Sequence, residues 1–308
     1  MNLRKTSRLG VLSLALLLPL SACTADEQSA PSESSQSAVL KLARGEQPAE
    51  QALAEVYKNA LKDKGYDVQI NKSSENPYQQ VIDGQADIAV DYAGAALSLS
   101  KDRATIAGED GVLSVDDLKK LRTEINDSND KIEALDLSAA DAGKVLVMSS
   151  AEAQTHSVDS LSSLAGACEK LTIITDDSNT KSLEATLKTE KATLKTESCE
   201  KPKVSVVKTD DLATQLRASV DRAVAVSAGN AMISDEGFKS IPDTAKLFDA
   251  QPIMLLASSA VDDKARGELN KVTGDLSQQT LVDLNRMVNA PGAMKPAQAA
   301  TRWEWIIE

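Results

Sequence analysis

The sequence has few of the residues on which most metal and catalytic sites depend. Its 308 residues include one histidine and three cysteines, and only 3% of them are aromatic. One histidine cannot supply a site built from several imidazoles, and three cysteines cannot form a four-cysteine zinc module. The net charge of −12 has the wrong sign for a protein that neutralises phosphates. We therefore expect no metal ion, no cofactor and no nucleic-acid partner.

Residues 1–22 have the order of a secretory signal peptide. Three basic residues precede an apolar run over 11–18, which is too short for a membrane-spanning helix. The run ends in Leu20-Ser21-Ala22-Cys23, which resembles the bacterial lipobox and implies that Cys23 carries lipid. An ordinary signal peptide with a chance cysteine is the alternative. Residues 23–37 are polar, so we predict a disordered tether and a lipoprotein on the outer face of a membrane.

The other two cysteines, Cys168 and Cys199, form an even pair once Cys23 is assigned to lipid. A disulfide is the usual state of such a pair in an oxidising compartment. Two free buried thiols are the alternative.

Short apolar strands alternate with amphipathic helices from residue 39 onwards. The predicted strands are 39–43, 66–70, 86–90, 144–148, 171–174, 204–207, 223–226 and 253–257. The helix over 48–64 has its apolar residues on one face and is predicted to end at Gly65. Three helical stretches close the chain, with Ser277 as the predicted N-cap of the second. This order predicts an α/β fold with parallel sheets.

Two regions of the chain, near its two ends, resemble a known family. The segments LARGEQ at 42–47 and VIDGQADIAVDYAG at 81–94, with LNKVTGDLS at 269–277 and LVDLNRMV at 281–288, are similar to substrate-binding proteins of osmoprotectant importers. These are the glycine betaine, choline and proline-betaine members of the ATP-binding-cassette (ABC) systems. The resemblance covers residues 39 to 308 and is densest at its two ends.

The resemblance implies a two-lobed type II periplasmic-binding-protein fold with a ligand cleft between the lobes. Lobe 1 is expected to comprise residues 39–147 plus 252–308, and lobe 2 residues 148–251. Crossovers near Met148 and Pro252 are expected to act as the hinge.

Candidate ligand-binding residues lie at the ends of predicted strands, where α/β sheets bind their ligands. They are Arg44, Glu46, Gln47, Tyr78, Tyr92, Ser149, Asp176, Asn179, Ser227 and Asn230. Tyr92 matches the aromatic residue of the family segment. Ordinary turns and helix caps use the same polar residues and are the alternative interpretation. The single histidine, His156, is predicted to be a surface residue, and we expect no catalytic residue and no enzyme.

The resemblance implies an extracytoplasmic, monomeric lipoprotein that binds an osmolyte-like solute such as glycine betaine or choline by lobe closure. It would then deliver the solute to ABC permease subunits. The family holds quaternary amines with several aromatic rings, which this sequence lacks. Two alternatives therefore stay open: a receptor for another polar solute, such as an amino acid or amine, and a structural or sensory lipoprotein that has lost transport.

Overall fold

Two five-stranded sheets organise the part of the chain that the computed structural model describes. The described residues are 39–100, 106–107, 112–164, 166–167, 169–176, 203–208, 211–218, 220–244, 246–290 and 292–307. The predictions for the signal peptide, the tether, lipidation at Cys23, the Cys168–Cys199 disulfide and ligand binding by Asn179 lie outside them. Ser37–Glu308 forms one unit, so both sheets belong to the same body.

The secondary structure alternates as the sequence predicts. In chain order the strands are β1 (Leu40–Ala43), β2 (Val68–Ile70), β3 (Ile88–Tyr92), β4 (Ile132–Ala134), β5 (Lys144–Met148), β6 (Thr172–Thr175), β7 (Lys203–Val206), β8 (Arg222–Ser227), β9 (Lys239–Ile241) and β10 (Ile253–Ser258). The helices are α1 (Pro48–Asp63), α2 (Pro77–Ile82), α3 (Val115–Ser128), α4 (Ser150–Thr155), α5 (Leu161–Leu164), α6 (Leu212–Ala218), α7 (Met232–Asp235), α8 (Asp263–Asp275), α9 (Gln278–Asn289) and α10 (Pro296–Ile307), with a 3₁₀ helix over Ala93–Leu99.

The two sheets have equivalent strand orders, β2-β1-β3-β10-β4 and β7-β6-β8-β5-β9. In the first sheet β1 is parallel to β2 and β3, and β10 runs antiparallel to β3 and β4. In the second sheet β6 is parallel to β7 and β8, and β5 runs antiparallel to β8 and β9. Each sheet is the base of one lobe, which confirms the predicted α/β, two-lobed fold.

Local sequence signals set the ends of the long helices. Pro48 opens α1, and Gly65, at φ +91°, follows its C-terminus as predicted. Ser277 caps α9 as predicted, because its Oγ accepts a hydrogen bond of 3.2 Å from the Thr280 amide.

The core of lobe 1 forms where α1 packs against the three helices that end the chain. Leu53, Val56 and Leu61, the predicted apolar face of α1, are buried. Tyr57 is also buried and its hydroxyl lies 2.9 Å from Thr273 Oγ1 in α8. Trp303 of α10 is buried in the same cluster. Burial of this continuous apolar surface supplies most of the driving force for folding of the lobe.

The first crossover lies earlier in the chain than Met148, where the sequence analysis placed it. The whole of β5 pairs in the second sheet, so the chain leaves the first sheet before Lys144. It returns at Pro252, which pairs with Asp141 in an isolated antiparallel bridge. The Ala142 amide donates to the Gln251 carbonyl at 3.0 Å. The two crossovers therefore form a hydrogen-bonded ribbon between the lobes.

Candidate ligand-binding site

The crossovers bring the C-terminal ends of the central parallel strands of both sheets into one region. Tyr92, the last residue of β3, pairs with Ile253 just after the second crossover. Ser227, the last residue of β8, pairs with Lys144 just after the first. Ligands bind at such carboxyl ends in open α/β sheets. This region is therefore the candidate binding cleft.

Asp91, at the end of β3, supplies a half-buried carboxylate on the lobe 1 side of the cleft. Its Oδ1 accepts a hydrogen bond of 2.7 Å from the Tyr92 amide. Burial raises the pKa of Asp91 to about 7, and the nearby charge of Glu50 acts in the same direction. Asp91 forms no ion pair with any residue that the structure describes. A cationic ligand would supply the missing charge.

Glu50 provides a second half-buried carboxylate at the N-terminus of α1. Its Oε2 accepts a hydrogen bond of 2.9 Å from the Gln47 amide, so the side chain folds back over Gly45. A Cβ atom at position 45 would lie 2.0 Å from that oxygen, so any larger residue there would displace the Glu50 carboxylate. Burial is the main cause that raises the pKa of Glu50. The sequence analysis missed Glu50, although its place three residues after the N-cap is a capping-box signal.

Arg44, directly after β1, is a predicted site residue with an unsatisfied buried donor. Its Nε is buried and has no hydrogen-bond partner among the described residues. The guanidinium makes no ion pair with Glu50 or Asp91. A buried donor without an acceptor costs about 1–3 kcal/mol, so this position favours a ligand that brings an acceptor. Arg44 therefore lies at the predicted edge of the sheet, and its role in ligand binding stays a prediction.

The two tyrosines predicted for the site differ in their environments. Tyr92 is half-buried against the core of lobe 1, and burial raises its pKa. Tyr78 is fully buried, and its hydroxyl lies 3.1 Å from the Asp91 carbonyl and 2.9 Å from the Met254 carbonyl, which share its one proton. Tyr78 is a core residue that supports β3 and β10, so its prediction as a ligand-binding residue is wrong.

Glu46 and Gln47 lie exposed at the start of α1. The Glu46 carbonyl accepts a hydrogen bond of 2.8 Å from Gln51 Nε2, and the Gln47 amide is bound to Glu50. Their backbones therefore shape the turn that carries Glu50. Their side chains remain candidates for ligand contacts at the rim of the cleft.

On the lobe 2 side, two predicted residues lie at the end of β8. Ser227 Oγ donates to the Ala142 carbonyl of the first crossover at 2.9 Å and accepts from the Gly229 amide at 3.2 Å. Asn230 Oδ1 accepts from the Met232 amide at 3.0 Å. Ser227 thus holds the backbone of the first crossover, whereas Asn230 holds the turn that begins α7. Asp176 follows β6 at the same edge of the sheet and is exposed.

Ser149 lies at the wrong edge of the second sheet to join this site. Because β5 runs antiparallel to β8, its C-terminal end lies beside the start of β8, and Ser149 follows that end. Its Oγ caps α4 by accepting a hydrogen bond of 3.1 Å from the Glu152 amide. His156, at the end of α4, is also not a surface residue, because only 9% of its side chain is exposed.

A cavity of about 600 Å³ lies beside the crossovers and is lined by both lobes. Leu113 and Asp117 line it from lobe 1, and Lys144, Lys246 and Phe248 from lobe 2. Lys144 opens β5, so the cavity adjoins the hinge. None of the ten predicted ligand-binding residues is among its described lining residues.

Comparison with known families identifies the chain. A model of the substrate-binding domain of ABC-type glycine betaine transport systems, OpuAC, matches residues 39–304. The chain belongs to this family. The OpuAC family consists of substrate-binding proteins of transporters, as the sequence resemblance implied. Within the described residues, no helix has the length and apolar character needed to cross a membrane.

Solved structures share the OpuAC fold with this chain. A glycine betaine/carnitine/choline ABC transporter protein has a TM-score of 0.67 at 14% identity, covering 87% of this chain and 98% of that one. Apo YehZ from Escherichia coli has a TM-score of 0.66 at 12% identity, covering 87% and 98%. Lactococcal OpuAC, closed on glycine betaine, has a TM-score of 0.55 at 15% identity, covering 87% and 95%. A comparison with curated protein sequences gives no match.

Several aromatic residues of this OpuAC-family chain are buried in the core or bonded elsewhere and do not lie in the candidate site. Tyr57, Tyr78 and Trp303 are buried in the core. Tyr66 donates a hydrogen bond of 2.6 Å to Asp262. In the described part of the chain, Tyr92 is the one aromatic side chain at the C-terminal edge of the first sheet that is not fully buried. The candidate site is therefore built more from charge than from aromatic rings.

Proposed function

We propose that this protein is the solute-binding component of an ABC importer and that its ligand is a small zwitterion, with an ammonium group and a carboxylate. Family membership supports the first part, since the matching family binds substrates for such importers. The ligand class rests on the charged groups at the ends of β1 and β3. Glycine betaine has both charges and is the solute named by the family.

Arg44 is the observation that carries the choice of ligand. Its buried Nε lacks a hydrogen-bond partner, and a carboxylate is the acceptor that a guanidinium binds best. Asp91 and Glu50 supply the opposite charge on the same wall. Separated positive and negative groups fit a zwitterion, whereas choline would leave Arg44 without a partner.

Tyr92 would contribute one aromatic face to the ammonium group. A cation over such a face gains about 0.5–2 kcal/mol, and the carboxylates of Asp91 and Glu50 would supply the remaining attraction. A zwitterionic amino acid such as proline has the same two charges and is the second candidate, favoured by the shortage of aromatic rings at this edge.

Closure of the two lobes on the ligand would complete the site. Asp176, Ser227 and Asn230 would approach from lobe 2 as the crossover ribbon bends, and the ligand's extra contacts would stabilise the closed state. The closed protein would then dock on the permease subunits. We further propose that it acts as a monomer outside the cytoplasm, with residues 1–22 removed, Cys23 lipidated and Cys168 bonded to Cys199.

Calorimetric titration of the purified protein with glycine betaine, proline, carnitine and choline tests this proposal. We expect a zwitterion to bind at least about tenfold more tightly than choline, because a charge-assisted hydrogen bond contributes about 1.5–3 kcal/mol. Equal or tighter binding of choline would contradict the role given to Arg44. No binding of any of the four would favour a receptor for another solute or a structural lipoprotein.

A further inference from the structure

A cluster of three metal-ligating side chains lies in lobe 2, at the edge of the sheet away from the crossovers. Glu152 lies on α4, His156 is the C-cap of that helix four residues later, and Asp221 precedes β8. One donor atom from each residue lies within 4.8 Å of the others. Neither the proposed cleft nor the fold of the crossovers uses these residues.

The backbone holds the three residues together. The Asp221 amide donates a hydrogen bond of 2.7 Å to Glu152 Oε2, and the Asp221 carbonyl accepts one of 2.8 Å from the Thr172 amide. Asp221 has a φ of +57°, a left-handed conformation that aspartate tolerates better than most residues. The start of β8 is thereby fixed against α4.

The imidazole faces both carboxylates through a single nitrogen. His156 Nε2 lies 2.8 Å from Asp221 Oδ1 and 3.4 Å from Glu152 Oε2. The side chains of His156 and Glu152 are only 9% and 12% exposed, whereas that of Asp221 is 53% exposed. The cluster is therefore half-enclosed, with one side open through Asp221.

We propose that Glu152, His156 and Asp221 form a binding site for one divalent transition-metal ion, with Zn²⁺ as the best fit. One imidazole and two carboxylates are ligands that Zn²⁺ accepts. Four ligands around Zn²⁺ are separated by about 3.3–3.5 Å when each lies about 2.0–2.1 Å from the metal. The separation of the His156 and Glu152 atoms already matches this value.

Metal binding requires a shift of the Asp221 side chain. Asp221 Oδ1 must move away from His156 Nε2 by about half an ångström to reach the tetrahedral spacing, and its exposed side chain has room to do so. Nε2 must also be free of its proton, which the neutral imidazole can carry on Nδ1 instead. Water would take the fourth position on the open side.

The charges in the cluster also favour binding of a divalent cation. Two carboxylates converge on one imidazole, and a doubly charged cation neutralises both, whereas a proton on the ring balances only one. The composition excludes a site with several histidines, but it is compatible with this one. The alternative role of the cluster is a hydrogen-bonded clamp between α4 and β8 that binds no metal.

Titration of the protein with ZnSO₄ distinguishes the two roles, using chelator-treated protein without a histidine tag. We expect one bound Zn²⁺ per chain and a loss of at least about tenfold in affinity for H156Q and E152Q, since each removes one of three ligands. D127N, which changes an exposed carboxylate on α3 in lobe 1, is the matched control and should bind Zn²⁺ like the unsubstituted protein.

The single histidine also gives a readout that needs no variant. A ¹H–¹⁵N correlation spectrum of the imidazole contains the ring signals of His156 only, because the chain has one histidine. These signals should shift as Zn²⁺ is added and should stop shifting at one equivalent. Ring signals that do not move at saturating Zn²⁺ would overturn the proposal, even if H156Q failed to fold. Undiminished Zn²⁺ binding by a folded H156Q protein would overturn it as well.

Discussion

The two lobes share one strand order but differ in the side chains that lie at the C-terminal edge of their sheets. In each sheet one strand, β1 or β6, has parallel neighbours on both sides, and an antiparallel strand, β10 or β5, continues directly from a crossover. At the edge of lobe 1, Arg44, Glu50 and Asp91 hold charges that no described residue pairs. At the edge of lobe 2, Ser227 already bonds the backbone of the first crossover and Asn230 bonds the Met232 amide of its own turn.

This difference indicates a division of labour between the lobes. If the proposed site is correct, the unpaired, half-buried charges make lobe 1 the surface expected to select the ligand. Lobe 2, with Ser227 bonded to the first crossover, is then expected to close over it. The lobes also differ in their helices. Lobe 1 carries α1 and the three long C-terminal helices, whereas the described helices of lobe 2 have four to seven residues.

The largest difference between variants of the two lobes should appear in the free energy of unfolding. Trp303→Ala removes a fully buried side chain from the core of lobe 1 and should lower the free energy of unfolding by about 3–5 kcal/mol. Val220→Ala, at a side chain of lobe 2 that is 73% exposed, should change it by less than about 0.5 kcal/mol. Urea unfolding followed by circular dichroism measures both. Similar losses for the two variants would refute the assignment of Trp303 to the core.

The next largest effect should be on ligand affinity. Arg44→Gln should weaken zwitterion binding about tenfold to hundredfold, because it removes a charge-assisted hydrogen bond worth about 1.5–3 kcal/mol. It should leave choline binding nearly unchanged, which separates loss of recognition from loss of folding. Asp176→Asn, at an exposed position of lobe 2, should have the smaller effect on the same ligand. The reverse ranking would contradict selection by lobe 1.

The candidate site also predicts a pH dependence that belongs to lobe 1. The pKa of Asp91 is about 7, so lowering the pH from 8 to 6 should protonate it and weaken binding of a cationic group about tenfold. Asp91→Asn should abolish this dependence. Calorimetry at several pH values measures it, and an equally steep profile in the variant would rule out Asp91 as its source.

The same carboxyl should affect folding with a defined sign. Between about pH 4 and 7 the folded state keeps a proton on Asp91 that the unfolded chain has released. Its contribution to stability is therefore complete at low pH and is lost as the pH rises towards 7. Asp91→Asn should flatten this part of the stability profile.

The smallest effect should come from an ion pair that joins the lobes. Arg286 of α9 packs with lobe 1, and its Nη2 lies 2.6 Å from Asp235 Oδ1 of α7 in lobe 2. Both side chains are partly exposed, so the pair contributes about 0.2–1 kcal/mol. Asp235→Asn should change ligand affinity by at most about fivefold, and less at high salt. Asp116→Asn, which breaks a pair within lobe 1, should not change it.

The sequence predicts strands and long helices well, because their apolar periodicity reports directly on burial. It cannot give the direction of β5, since periodicity is the same in either direction, and Ser149 was therefore assigned to the wrong edge. It cannot tell Tyr78 from Tyr92 either, because burial of Tyr78 depends on β10, more than 170 residues later. The three-residue strands β4 and β9 are too short for an apolar pattern to appear.

The ribbon formed by the two crossovers affects the shape that the protein would present to the permease. Gln278 reinforces it, because its Oε1 accepts from the Asp141 amide at 2.9 Å and its Nε2 donates to the carbonyls of Asp141 and Ala228, each at 3.1 Å. These hydrogen bonds resist sliding of one crossover past the other, so we expect the proposed closure to be a bending motion about the ribbon. Every solute that closed the cleft in this way would present the transporter with nearly the same outer shape, and the choice among solutes would be complete before docking.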